Sequence, residues 1–195
     1  DEISYSSSSI INEGINLIPK EAKDYIKDLK KIFTTEEIIN VINSLRDIRV
    51  LVIGDIIIDE YIDCKQMEKA SKESYIAYKF LNQELQAGGS LAVSNHVAGF
   101  TNNVTLVSVL GERYLDFVKE KLNKSIKQFI FLEKNTETIK KRRYIEEYRR
   151  IKLFEVYSND FIKIRDETEN RIIEFVRKNL SNYDMILISD FGHGL

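Results

Sequence analysis

The stretch Val50-Leu51-Val52-Ile53-Gly54-Asp55-Ile56-Ile57-Ile58-Asp59 decides how this chain is read. Val50 to Ile53 is an unbroken apolar run rich in β-branched residues. It has no polar alternation, so it reads as a strand buried on both faces, as in a parallel sheet. The run ends at Gly54-Asp55, and a further carboxylate, Asp59, follows. Carboxylates just past the carboxyl end of a buried strand stand where α/β sheets bind ligands. There they can accept hydrogen bonds from sugar hydroxyls; a turn aspartate with a cap is the equal alternative.

Working outward, Val104 to Leu110 ending at Gly111 and Met185 to Ser189 read as two more buried strands, and Gln128 to Leu132 as a short one. Helices are expected over Lys20 to Lys31 with Pro19 at the first turn, and from Thr34 with Glu37 completing a capping box. Others are expected over Ser90 to Phe100, Tyr114 to Leu122 and Asp166 to Leu180, the last with Ile172, Ile173, Val176 and Leu180 on one face. Strands alternating with helices argue for α/β with a parallel sheet. Residues 61–86 alternate loosely and are heavily charged, which suggests a flap of strands with one wet face. Thr136 to Tyr148 and Ile151 to Tyr157 read as a charged hairpin.

The chain has 195 residues, enough for one domain, or one domain and a piece of another. At 43% hydrophobic and 31% charged it can bury a core. Its net charge of −2 counts against general nucleic-acid binding. A single cysteine, Cys64, excludes an internal disulfide and fits a reducing cytoplasm. No apolar run is long enough to span a membrane, and no signal peptide opens the chain. The first residue is Asp1, and the last ten run from a strand into a glycine turn that normally leads into a further element. An internal fragment is therefore expected, with a small natural domain as the alternative.

Three other constellations carry candidate chemistry. Ala87-Gly88-Gly89-Ser90 leads into a helix, and glycines there let backbone approach a ligand; a plain loop is the bland reading. Lys140-Lys141-Arg142-Arg143 lies on an expected strand, with Arg149, Arg150 and Lys152 nearby. Alternate members face opposite sides, so two could meet a phosphate while two are solvated. Interleaved Tyr144 and Tyr148 leave single-strand nucleic-acid binding open. Ser189-Asp190-Phe191-Gly192-His193-Gly194 puts an acid and a histidine beyond a strand. With His96 the only other histidine and Cys64 unaccompanied, no metal site is expected. Asp190-Phe191-Gly192 matches a protein-kinase triplet, but the H-R-D loop and G-x-G-x-x-G are missing, so that reading is discarded.

Taken in order, these segments resemble the amino-terminal part of a PfkB/ribokinase-type sugar kinase, closest to the kinase group of ADP-heptose synthesis. Val50 to Tyr61 resembles that family's first strand and substrate-binding aspartate. Ala87 to Asn95, followed by Val104 to Gly111, resembles its glycine pair and second strand. Thr138 to Arg143 resembles its T-x-x-K-x-R stretch, and Ile186 to Leu195 its S-D-[FY]-x-x-G strand end. The chain departs from the pattern at Ala92, where the family usually has Asn; Asn95 and His96 follow in the same helix.

The resemblance implies a ribokinase-like parallel sheet flanked by helices over residues 46–195, with a small β lid at about 61–86 and no completion at the C-terminus. Residues 20–45 would be a helical connector and 1–19 a linker or the tail of a preceding domain. It implies ATP-dependent phosphorylation of a sugar or sugar phosphate, with Mg2+. Asp59, Gly88, Gly89 and Asn95 would hold the sugar, Lys141 and Arg143 a phosphate on it, and Asp190 would lie on the nucleotide side. The family's G-A-G-D segment, with its catalytic base, is not in the chain, so no catalytic residue is assigned and the chain alone is expected to be inactive. Tyr5 to Ile11 resembles the I-S-S-T-x-I segment that ends a cytidylyltransferase-type nucleotidyltransferase domain, which implies a bifunctional parent. The competing expectations are a non-catalytic sugar-phosphate-binding module and an assembly role. For the latter, the edge at 75–86 suits a homodimer paired through the lid strands.

Overall fold

The computed structural model describes residues 18–69, 75–158 and 163–195. The opening segment at 1–12, read as the end of another domain, lies outside them. The chain divides into two units at Ser44/Leu45. The first holds helix α1 (Lys20–Ile32) and helix α2 (Thr35–Ser44). The capping box is present: Thr34 N–H donates to Glu37 Oε2 at 2.7 Å, and Glu37 N–H donates to Thr34 Oγ1 at 3.2 Å. The Thr34 N–H foremost, and then the Thr34 hydroxyl donating to Glu37 Oε2 at 2.9 Å, pull the Glu37 carboxyl below its ordinary range.

The second unit begins with β1 (Arg49–Gly54) and passes through one residue, Asp55, into the long β2 (Ile56–Lys69). Next come β3 (Ile76–Gly88), α3 (Gly89–Val97), β4 (Asn103–Gly111), α4 (Leu115–Lys121), β5 (Lys127–Glu133) and β6 (Ile139–Glu146). Then β7 (Lys152–Tyr157), α5 (Asp166–Asn179) and β8 (Met185–Ser189) complete the described elements. Two sheets result. One is wholly parallel, ordered β5-β4-β1-β8. The other is mixed, ordered β3-β2-β6-β7, with β2 and β6 parallel and a hairpin on each flank. No helix among the described residues is long and apolar enough to cross a membrane.

The apolar runs do what their composition requires. Leu51, Val52, Leu106, Val107 and Leu110 are essentially inaccessible, and Val52, Leu106 and Leu110 pack with Leu91 and Val118 from the helices. Each such side chain contributes about 1.5–3 kcal/mol of burial free energy. The third run departs from the expectation of a buried strand. β8 is an edge strand of the described sheet, and Ile188 is 76% exposed. The flap is also larger than 61–86. It starts at Ile56, and the charged hairpin is not separate from it: β6 and β7 form its other half. Parallel register with β2 brings β6 in, a long-range pairing that local alternation does not reveal.

The strand order fixes where a ligand belongs. From β1 the chain builds β4 and then β5 on one side, and returns to lay β8 on the other. The carboxyl end of β1 is thus a switch point, where open α/β sheets bind ligands. The opposite end is tied by Arg49 and Asp184. Arg49 reaches the Asp184 carboxylate with Nε at 2.9 Å and Nη2 at 2.6 Å, and its backbone N–H adds a third bond at 2.9 Å. The Arg49 side chain foremost, then that N–H, hold Asp184 far below the usual carboxylate range. A depressed folded-state pKa stabilises above the unfolded value of about 3.9 and loses that effect as the pH falls toward the folded one. Asp184→Asn should therefore unfold at lower denaturant than the wild type near neutral pH, with the gap closing below about pH 4. An equal gap at both pH values contradicts this.

Candidate functional site

The carboxyl end of β1 is a hydrogen-bonded hub. Gly54 C=O accepts from Ser90 Oγ at 2.9 Å and Ser108 Oγ at 2.6 Å, which latches α3 and β4 to it. Asp55 is buried. Its carboxylate accepts from three backbone N–H groups of the final turn: Phe191 at 2.9 Å, His193 at 3.3 Å and Leu195 at 3.2 Å. Of the two acids in the deciding stretch, Asp55 is therefore the structural one, the cap of the bland reading.

Asp59 is different. It lies on β2 beside Gln86 of β3 and Lys141 of β6 in the strand register. Alternation along the strands places Asp59 and Tyr61 on one face with Lys141, Arg143, Glu155 and Tyr157. Arg143 Nη1 meets Asp59 Oδ1 at 2.5 Å, and Arg143 Nε meets Glu155 Oε2 at 3.0 Å. The guanidinium also lies 5.3 Å from the centre of the Tyr61 ring. Burial pushes the Glu155 carboxyl up. Hydrogen bonds from Tyr157 and Lys152, and the charges of Arg143 and Lys152, outweigh it and leave the group below the usual carboxylate range. Asp59, Arg143 and Glu155 thus form a charged row with the arginine in the middle.

Lys141 stands outside that row. Its Nζ lies 5.2 Å from the centre of the Tyr157 ring and 5.9 Å from that of Phe191. Among the described residues it has no carboxylate partner, so its charge is available to an incoming anion. Two aromatic faces hold the ammonium without neutralising it.

The glycine pair abuts the same place. A Cβ on Gly88 would come within 2.6 Å of Asp59 Oδ2, and one on Gly89 within 2.2 Å of Asp55 C=O. Gly89 also has φ +56° at the start of α3, a left-handed backbone that suits glycine.

The expected residues do not all meet. Asp59, Gly88, Lys141 and Arg143 share one region of the β3-β2-β6-β7 sheet. Asn95 is engaged elsewhere: its amide donates to Lys121 C=O and accepts from Asn123 N–H, both at 2.8 Å, closing the loop after α4. Asp190 is exposed, and its Oδ1 accepts from Gly192 N–H at 2.7 Å in a local turn. Lys140 and Arg142 are not the solvated half of the cationic run. Both turn inward onto the buried Glu60 on the other face of the sheet. Glu155 and Tyr157 escaped sequence reasoning. The alternation Lys152-Leu153-Phe154-Glu155-Val156-Tyr157, read as one strand against 139–146, was the signal available.

Comparison with known proteins follows the same lines. No family model matches the chain. It is 30% identical over 152 residues to the "Bifunctional protein HldE" of Aliarcobacter butzleri, covering 75% of this chain and 31% of the relative. A protein of the same name from Syntrophotalea carbinolica is 30% identical over 162 residues, covering 80% and 32%. The chain spans about a third of the length of the curated relatives it matches. Among solved structures, phosphofructokinase-2 from Escherichia coli, in complex with fructose-6-phosphate, superposes with a TM-score of 0.56 at 12% identity, over 73% of this chain and 45% of the other. A carbohydrate kinase from Agrobacterium tumefaciens does so with a TM-score of 0.51 at 16% identity, over 72% and 45%. The fold is that of the ribokinase-like sugar kinases, and the sequence relatives are proteins named HldE, as the resemblance implied.

Proposed function

We propose that this chain is the acceptor-binding part of a carbohydrate kinase domain, and that it holds a sugar phosphate whose free hydroxyl is phosphorylated. The observation that carries this reading is the juxtaposition of Asp59, Gly88 and Lys141 on the mixed sheet that the chain enters directly from the switch point at the end of β1. Asp59 has one carboxylate oxygen on Arg143; the other, beside Gly88, faces a glycine that adds no side chain. It would accept hydrogen bonds from sugar hydroxyls. Lys141 would grip the phosphate as a charge-assisted donor. Arg143, already between two carboxylates, would orient Asp59 rather than bind the anion itself. Such fixing of the acceptor is the main contribution a protein makes to phosphoryl transfer.

ATP with Mg2+ is the donor this reading calls for, and it would supply the transferred phosphoryl group. The described residues do not fit it. Of the backbone donors of the terminal glycine turn, those of Phe191, His193 and Leu195 serve Asp55 and that of Gly192 serves Asp190. No cluster of metal-ligating side chains occurs among the described residues. They fit the acceptor, with Asp190 alone near the side where a donor would approach. The parent is also proposed to join a nucleotidyltransferase to the sugar kinase and to work in the cytoplasm on ADP-heptose synthesis, as the sequence resemblance implies; the relatives are named bifunctional. A non-catalytic sugar-phosphate-binding module of the same fold is the second reading. Titration calorimetry with heptose or hexose monophosphates and the matching free sugars tests the site. The phosphate should add about one to two orders of magnitude in affinity, and Lys141→Met should remove that difference. Equal affinity for both sugars in the wild type contradicts it.

The lid is also proposed to pair two copies. Its outer strands β3 and β7 expose Ile76, Phe80, Phe154 and Val156, and an apolar edge of this kind is a template for strand pairing. Sedimentation equilibrium should show a dimer that Phe80→Lys dissociates; a monomer at all concentrations contradicts this.

A further inference from the structure

The face of the lid sheet opposite Asp59 carries a second group of cations. Lys140 and Arg142 alternate with Lys141 and Arg143 and so point the other way. There, with Arg113 from the turn after β4, they line a hollow of about 320 Å3 beside Thr136 and Ser158. Lys140 is only 9% exposed. Its single ion partner among the described residues is Glu60 Oε2, at 3.5 Å. That same oxygen is already taken by Arg142 Nε. Arg113 has no carboxylate partner among the described residues; its guanidinium rests 5.6 Å from the centre of the Tyr114 ring. Glu137 stands exposed at the rim. Three cations therefore face two carboxylates, and the most buried cation shares one distant oxygen. A buried ammonium is costly unless it is paired and hydrogen-bonded, so among the described residues the cluster is one anion short.

We propose that this hollow is a second anion site, separate from the candidate sugar site, and that it takes a phosphate dianion, free or as a small monoester. Arg113 and Arg142 supply planar donors suited to phosphate oxygens. Lys140 supplies the buried charge, and the hydroxyls of Thr136 and Ser158 suit the remaining oxygens. Its volume of about 320 Å3 accommodates a phosphate with a short organic group. Through Arg142 and Glu60, occupancy would bear on the strands that hold Asp59 and Lys141.

Titration of the isotope-labelled full chain with inorganic phosphate, read by backbone amide NMR, tests the proposal. Millimolar binding is expected, with shifts at Thr136, Ser158 and the amides around Arg113. Arg113→Gln and Lys140→Met should each weaken it at least about tenfold, while Lys141→Met leaves it unchanged. Arg113 is exposed and unpaired with any described carboxylate, so Arg113→Gln remains informative even where Lys140→Met fails to fold. Methyl phosphate run in parallel separates the two sources: tighter binding than inorganic phosphate assigns the site to an ester, weaker binding to the free ion. Shifts confined to Lys141, Arg143 and Gly88, or affinity that survives both substitutions in the hollow, would overturn the site without touching the sugar reading. Absence of any phosphate-induced shift in the hollow would overturn it as well.

Discussion

Asp59→Ala is expected to weaken sugar-phosphate binding by about 10- to 100-fold while leaving the protein folded. The carboxylate is the charged acceptor that β2 sets beside Gly88, with one of its oxygens directed at that glycine. Its loss removes hydrogen bonds that a charged acceptor makes to hydroxyls, each worth about 1.5–3 kcal/mol. It also releases Arg143, which keeps its bond to Glu155 at 3.0 Å. The stability cost is therefore small, because no charge is left buried without a partner. Asp59→Asn separates the two tasks. It preserves shape but weakens both the acceptor and the pair with Arg143, so it should fall between alanine and wild type. The measurement is calorimetric titration with a heptose or hexose monophosphate, alongside a thermal melt. A melting point that collapses for Asp59→Ala, or affinity that does not change, contradicts the assignment.

Gly89→Ala is the substitution with the largest expected effect on stability, about 3–5 kcal/mol. Two independent costs meet there. A φ of +56° is strained for any L side chain, and the new Cβ would lie 2.2 Å from Asp55 C=O, a backbone atom with no freedom to move aside. That carbonyl accepts from Ser90 N–H at 2.8 Å, so displacing it unseats the start of α3 and the hub that carries the terminal turn. A drop in melting temperature of roughly 10 °C is expected. Gly88→Ala is the contrast. Its Cβ would meet Asp59 Oδ2 at 2.6 Å, a side-chain atom that can swing away, and the backbone Ile57 C=O only at 3.0 Å, against 2.2 Å for the carbonyl facing Gly89. That change should spare the fold and damage binding, the reverse of Gly89→Ala. Equal melting points for the two variants contradict the distinction drawn here between the glycines.

Much of this was legible in the sequence because it depends on local pattern. Val50 to Ile53 and Val104 to Leu110 read as buried strands and are so, since a two-sided apolar run has few other homes. Thr34 and Glu37 announced their capping box by spacing alone. What failed did so because it depends on distant pairing. The role of Asp55 is written in the backbone N–H groups of residues 191–195, some 136–140 positions away. The split of the cationic run between two faces could be foreseen, but not which half turns inward. That was set by Glu60, an acid invisible as a partner until β2 and β6 are laid in register. Asn95 looked like a sugar ligand because of where it stands after the glycine pair. Its side chain instead closes the loop after α4, a contact 26 residues away that no local signal marks.

The central claim is that Asp59, the glycine pair and Lys141 act together on one sugar phosphate. Hydrogen–deuterium exchange with and without a saturating heptose or hexose monophosphate tests it most directly. The account predicts slowed exchange in 57–61, 87–90 and 139–143 together, with all three effects lost in Asp59→Ala. Protection confined to one of these segments, or unchanged exchange under conditions where calorimetry records binding, would contradict it.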